Sequence, residues 1–208
     1  MKGLLLKDIY MTAKYCRAYL LIAVVFSFIS FVGNESMFLV FYPCMLCGMI
    51  PVNLLAYDER SRWLQYSESM PYTRAQIVSG KYLIGLFAQI LMLLITGTLQ
   101  AIRMLSSGTF DAGEYATLMM LLLVLSLLAS SISLPFIFKL GVERGRIAYY
   151  IMVGIVCAGS VASSNLLING TEKEIMINGA LPIVCLIGIG IYAFSWFLSI
   201  VLYRKREL

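Results

Sequence analysis

Six long stretches of this chain carry no charged residue: Ala18–Asn34, Met37–Ala56, Tyr82–Ile102, Tyr115–Phe138, Ile147–Thr171 and Ile175–Tyr203. An apolar run of about 20 residues crosses a hydrocarbon core of roughly 30 Å as a helix. Backbone groups in lipid must pair within their own segment or in a closed barrel, and these runs lack the alternation of barrel strands. Helices are the consistent reading, and a chain of 208 residues that is 61% hydrophobic leaves no room for a soluble catalytic domain beside them. The sequence therefore predicts an all-α membrane protein with six transmembrane helices, near 18–34, 37–56, 82–102, 115–138, 147–164 and 180–203. They form a single transmembrane domain over 1–208.

Lys and Arg divide unevenly across this arrangement. One side collects Lys2, Lys7, Lys14, Arg17, Arg60, Arg62, Arg74, Lys81, Lys139, Arg144, Arg146, Arg204, Lys205 and Arg206, and the other keeps Arg103 and Lys173. Positive residues accumulate on the cytoplasmic side, so both termini are expected there. The net charge of +5 reports orientation and attraction to the inner leaflet rather than nucleic-acid binding. Residues 1–17 carry Leu5, Ile9 and Ala13 on one helical face, with Lys7, Lys14 and Arg17 away from it, which suits an N-terminal amphipathic interfacial helix. A basic stretch before an apolar one also fits a signal peptide, but no small-x-small cleavage site follows, and a retained first span is expected.

The five cysteines lie in or beside helical segments, which argues against a disulfide framework. Cys44 and Cys47 form a C-x-x-C without a second pair or any histidine, so small apolar packing residues are the simpler interpretation.

The segment 57–81 is long for a turn between spans, with 25 residues. Trp63, Tyr66 and Met70 recur at helical spacing, Pro71 ends that helix, and Thr73 is placed to cap another beginning near Arg74. Aromatic residues with Arg suit a protein-docking surface, and Trp63 and Tyr66 equally suit anchoring at lipid headgroups. Composition leaves both open. On the third predicted span Gln89, Thr96, Gln100 and Arg103 form one polar stripe with Gly85. Such a stripe either lines a translocation path or bonds a neighbouring helix for about 0.6 kcal/mol per contact.

The order of Asp58, Glu59, Trp63, Tyr66, Met70, Pro71, Arg74, Ile77, Val78, Lys81 and Tyr82 resembles the cytoplasmic loop of small type-2 ABC-transporter permeases of Gram-positive bacteria. A second stretch, Leu134-Pro135-Phe136 through Gly141, Glu143, Arg144 and Arg146, is similar to that family's joint between spans four and five. Gly3 to Asp8 and Tyr203 to Leu208 also fit. The resemblance implies half of an ATP-driven exporter in the bacterial cytoplasmic membrane, pairing with a second permease copy or paralogue and with separate ABC ATPase subunits. In that reading the segment 57–81 is the coupling helix, with Glu59, Arg60, Trp63, Tyr66, Pro71, Arg74 and Lys81 as its ATPase-coupling residues. Cargo by family habit is peptide, including antimicrobial peptide.

The chain holds no G-x-x-x-x-G-K-[ST], so ATP and Mg belong to the partner ATPase and no cofactor is expected here. An intramembrane enzyme is disfavoured, because the chain has no histidine and no acid inside a predicted span to activate a nucleophile or a metal-bound water. The alternative from another class is a membrane-embedded substrate-binding or peptide-immunity protein without its own transport cycle. The segment before Lys81-Tyr82 discriminates against it.

Overall fold

In the computed structural model the described residues are 2–32, 37–67, 72–108, 110–144, 147, 150, 151, 153–155 and 171–204. They form helices α1 (Lys2–Tyr15), α2 (Arg17–Val32), α3 (Met37–Gly48), α4 (Ile50–Arg60), α5 (Trp63–Ser67), α6 (Arg74–Ser106), α7 (Ala112–Leu140) and α8 (Thr171–Arg204).

The expected six spans are corrected. Among the described residues four helices are long and apolar enough to cross a bilayer: Leu39–Arg60, Arg74–Ser106, Ala112–Lys139 and Pro182–Arg204. The number reaches five if Lys2–Tyr15 and Arg17–Phe31, which meet at a 65° bend, count together as one broken span. The reason lies in α2, whose 16 residues extend about 24 Å at 1.5 Å per residue, short of a hydrocarbon core. An uncharged run gives no sign of such a bend. The expected span at 147–164 falls largely outside the described residues. The second predicted span, 37–56, continues to Arg60, and the third begins eight residues before its predicted start, at Arg74.

Local chemistry explains several boundaries. Thr73 opens α6 with a reciprocal capping box: Gln76 N–H donates to Thr73 Oγ1 at 3.3 Å and Thr73 N–H donates to Gln76 Oε1 at 3.1 Å. Asp111 caps α7 by accepting from Gly113 N–H at 2.9 Å, and Gly141 ends it at φ 86°. Pro51 sits in the first turn of α4, where its missing N–H costs no helical bond.

The core lies between α3/α4, α6, α7 and α8, with Met49, Val52, Val78, Tyr82, Leu134, Phe138, Tyr192 and Tyr203 in one buried cluster. A second cluster joins α2 to α3, α4 and α6 through Ala23, Cys47, Ile50, Leu54 and Ile84. Cys44 and Cys47 are free, buried thiols within this packing. Tyr82 binds α6 to α8. Its hydroxyl lies 2.7 Å from Ser199 Oγ and 2.9 Å from Ser195 Oγ, its ring stacks on Trp196, and its carbonyl accepts from Tyr192 Oη at 2.9 Å.

The helix α1 lies across this bundle at its Lys/Arg-rich end. Leu6, Ile9 and Tyr10 are exposed, whereas Leu4 and Asp8 are buried. Of the predicted apolar stripe, Ile9 and Ala13 thus face away from the protein, whereas Leu5 is partly buried against the second cluster. Leu4 packs so closely on α6 that a Cβ on Gly80 would lie 3.2 Å from Leu4 Cδ2.

Close approach also governs the crossing of α4 and α6, where a Cβ on Gly85 would sit 3.1 Å from Pro51 Cγ. Gly85→Leu should therefore lower stability by about 1–3 kcal/mol through overpacking. Gly190→Ala, where nothing lies within 4 Å, should be neutral or stabilising. Thermal midpoints of the purified variants in one detergent check this pair.

Candidate functional site

The structure concentrates its charged side chains at one end of the bundle, around a lysine that is closed off from solvent. Lys81, about two turns into α6, is 1% exposed. Its Nζ lies 2.8 Å from Asp8 Oδ1 on α1 and 2.5 Å from Asp58 Oδ2 on α4, whose side chains are 0% and 1% exposed. Lys7 completes the group, its Nζ 3.0 Å from both Asp8 Oδ1 and Asp58 Oδ1 and its side chain 23% exposed. Two cations and two carboxylates cancel, which is the condition under which buried charge is tolerated. Three helices distant in sequence are joined here by ionic contacts without room for water-borne slack.

This cluster holds the predicted docking element from below. Lys7 Nζ also sits 4.2 Å from the centroid of the Trp63 ring, a cation–π contact onto α5. Trp63 is half-buried and packs on Tyr66 at 5.7 Å between ring centroids, while Tyr66 is 59% exposed. At the other end of α1, Tyr15 stacks on Tyr57 of α4 at 4.4 Å.

The seven residues grouped by sequence take different places. Arg60, Trp63 and Tyr66 form the outward part of the element. Glu59 turns to the joint after α7, its Oε2 accepting from Val142 N–H at 3.3 Å. Arg74 donates through Nη1 to the carbonyls of Tyr203 at 3.4 Å and Arg204 at 3.2 Å. It thereby serves the last orphan carbonyls of α8, where a helix end is partially negative. Lys81 lies in the buried cluster rather than at a loop end. Pro71 lies outside the described residues. The segment between α4 and α6 is thus fastened separately to α1, to the end of α7 and to the end of α8.

The polar stripe on α6 is directed at neighbouring helices. Gln89 Nε2 donates to Ser126 O at 2.7 Å and Ser130 Oγ at 2.6 Å on α7. Thr96 Oγ1 donates to Met92 O at 2.9 Å and lies 3.7 Å from Cys44 Sγ on α3. Gln100 Nε2 donates to Ser30 Oγ at 3.0 Å, and Arg103 Nη1 to Ser30 O at 3.2 Å, both on α2. The stripe ties α6 to three helices, and Gln89, Thr96 and Gln100 are buried within one chain.

Sequence reasoning missed Asp8 and Lys7 as site residues. One signal was present: Asp8 is the sole acid among the first 34 residues, and it shares a helical face with Leu4 rather than with the cationic side chains.

Removing one member of a buried ion pair is costlier than removing all of them. Lys81→Met should cost about 3–5 kcal/mol, because two buried carboxylates are left with the partly exposed Lys7 as their one remaining cation in the cluster. The triple variant Asp8→Leu, Asp58→Leu, Lys81→Met should recover most of that loss. Comparing the two by thermal unfolding in detergent checks the cluster, and additive losses would contradict it.

The comparisons with known proteins agree with a transport assignment. No curated protein and no solved structure matches the chain. Residues 3–204 match the family model described as ABC-2 family transporter protein. With nearly its whole length in that match, this multi-pass membrane chain belongs to the ABC-2 family of transporter proteins.

Proposed function

We propose that this chain is the permease subunit of an ATP-driven exporter of the small type-2 kind, working in a bacterial cytoplasmic membrane. ABC-2 membrane proteins are non-catalytic permease components, and this chain has no enzymatic activity of its own. Such proteins typically work with ATPase subunits in a lipid membrane. The step that uses ATP and Mg then takes place on separate ATPase subunits, and a second permease copy or paralogue completes the translocation unit. Peptide is the favoured cargo.

The observation that carries the reading is the way α5 is presented. A short helix with an exposed Tyr66 and a half-buried Trp63 projects at the Lys/Arg-rich end of the bundle. Its flanks are tied to the middle of α1, to the joint after α7 and to the end of α8 through Lys7–Asp58, Glu59–Val142 and Arg74–Arg204. An ATPase pressing on this element moves α1, α4, α6, α7 and α8 together, as coupling requires. Arg60, Trp63 and Tyr66 form the docking surface, and Glu59, Arg74 and Lys81 connect it to the spans.

Orientation follows from the same residues. Lys2, Lys7, Lys14, Arg60, Arg62, Arg74, Lys81 and Arg204 share one end, and Arg103 stands at the other end of α6. The positive-inside rule assigns the first group, with both chain termini, to the cytoplasm. There the exposed Leu6, Ile9 and Tyr10 of α1 lie in the membrane interface.

The test is purification of the tagged chain from its native membrane, followed by reconstitution of the recovered complex. A stoichiometric ATPase is expected with the wild type. Replacing Trp63 and Tyr66 with Ala should lower ATP-dependent transport at least tenfold, as loss of two docking hot spots would, while membrane insertion and thermal stability stay near wild type. Normal transport by the double variant would sink the assignment. Recovery of the wild-type chain without an ATPase would favour a substrate-binding or immunity protein instead.

A further inference from the structure

The chain turns the corner between α4 and α5 at Arg62, and it does so in a conformation that suits arginine poorly. Arg62 has φ 53°, in the left-handed region, and is the one non-glycine residue with positive φ among the described residues. A side chain with Cβ is sterically disfavoured there, and glycine would take the same turn without penalty. The backbone is nevertheless held on both sides: Arg62 N–H donates to Glu59 O at 3.2 Å, and Arg62 O accepts from Tyr66 N–H at 3.3 Å. The side chain itself is exposed. Strain of this kind at an exposed site directs attention to what the side chain does there.

Its surroundings give the chemistry. Arg60 is exposed on the same corner, two residues away. Among the described residues, the acids beside this corner in the sequence are committed inward, Asp58 to Lys7 and Lys81 and Glu59 to Val142 N–H. The buried cluster therefore withdraws carboxylate charge from the corner and leaves guanidinium charge outside. Guanidinium groups match carboxylates in a planar, two-pronged geometry, and excess charge on a docking patch steers a partner of opposite sign.

We infer that Arg62, with Arg60, engages a carboxylate-lined groove on the ATPase subunit, while Trp63 and Tyr66 fill the apolar part of the same seat. The inference rests on the docking role proposed above and adds the chemistry of the partner surface. Anionic lipid headgroups are the competing recipient for two arginines beside aromatic rings, and the experiment separates them.

The full chain, wild type or variant, is placed in nanodiscs of zwitterionic lipid. Binding of the ATPase subunit that co-purifies with the wild type is measured from about 50 to 300 mM salt, a range over which screening changes strongly. Arg62→Gly keeps the left-handed backbone, so its thermal midpoint should equal or exceed that of the wild type. Its affinity for the ATPase should fall about tenfold at low salt, and the salt dependence should flatten. Arg60→Gln should act in the same direction, and Arg62→Lys should recover part of the loss by restoring charge without the fork. Binding by Arg62→Gly within about twofold of wild type, with an unchanged salt slope, would overturn the inference. So would a defect confined to binding of the chain's soluble end to vesicles containing anionic lipid. If the wild type itself retains no ATPase, the docking role fails as well. If wild type and Arg62→Gly retain it equally, that role stands and only the acidic groove is lost.

Discussion

Everything at the charged end of this molecule depends on the ammonium of Lys81. Held 2.8 Å from Asp8 and 2.5 Å from Asp58, it is the point at which α1, α4 and α6 are joined, and none of the three groups has access to water. Buried charge is unforgiving, because each partner that moves away leaves another without compensation. Helices that share such a pair move as one. The adjacent residue extends the join in the opposite direction, since Tyr82 fixes α6 to α8 through Ser195 and Ser199. Two neighbouring positions on one helix thus hold the bundle from two sides, and α5 is joined to this end through Lys7 and Trp63.

The arrangement resolves a tension between docking and stability. An exposed aromatic helix five residues long has little reason to persist alone, because helix nucleation is costly and few bonds repay it. Here it is supported by Lys7 beneath Trp63 and by helices anchored on both sides. Rigidity comes from polar contacts with the bundle, and Tyr66 on the outer side of α5 stays exposed. Hydrogen bonds from Gln89, Gln100 and Arg103 continue the same strategy along α6 toward its far end.

Much of this was readable from the sequence, for identifiable reasons. Charge-free runs located the bodies of α6, α7 and α8, and Thr73 marked the start of α6 because an N-cap is a local signal. The span count was not readable. Hydropathy measures composition along a line, whereas the 65° bend beside Cys16 and the shortness of α2 depend on how α1 packs across the bundle. Nor could the ion cluster be found by pattern. Asp8 and Lys81 lie 73 positions apart, and their pairing exists only once Leu4 has settled against Gly80. The residues proposed for docking fell between these extremes: Trp63 and Tyr66 suggested a surface, but the contacts of Glu59, Arg74 and Lys81 with other helices are a tertiary fact.

The crossing of Gly85 with Pro51 has a mechanical consequence. α6 has 33 residues and so extends about 50 Å, well beyond the thickness of a hydrocarbon core. The close contact at Gly85 divides it unequally, with about 16 Å on the docking side and about 32 Å on the other. The ties from Lys81 and Tyr82 lie on the shorter arm, and those from Gln89, Thr96, Gln100 and Arg103 lie on the longer one. α6 is therefore one long rod joined on both arms, and it holds the ion cluster at one end and the Ser30 contacts at the other at a fixed spacing.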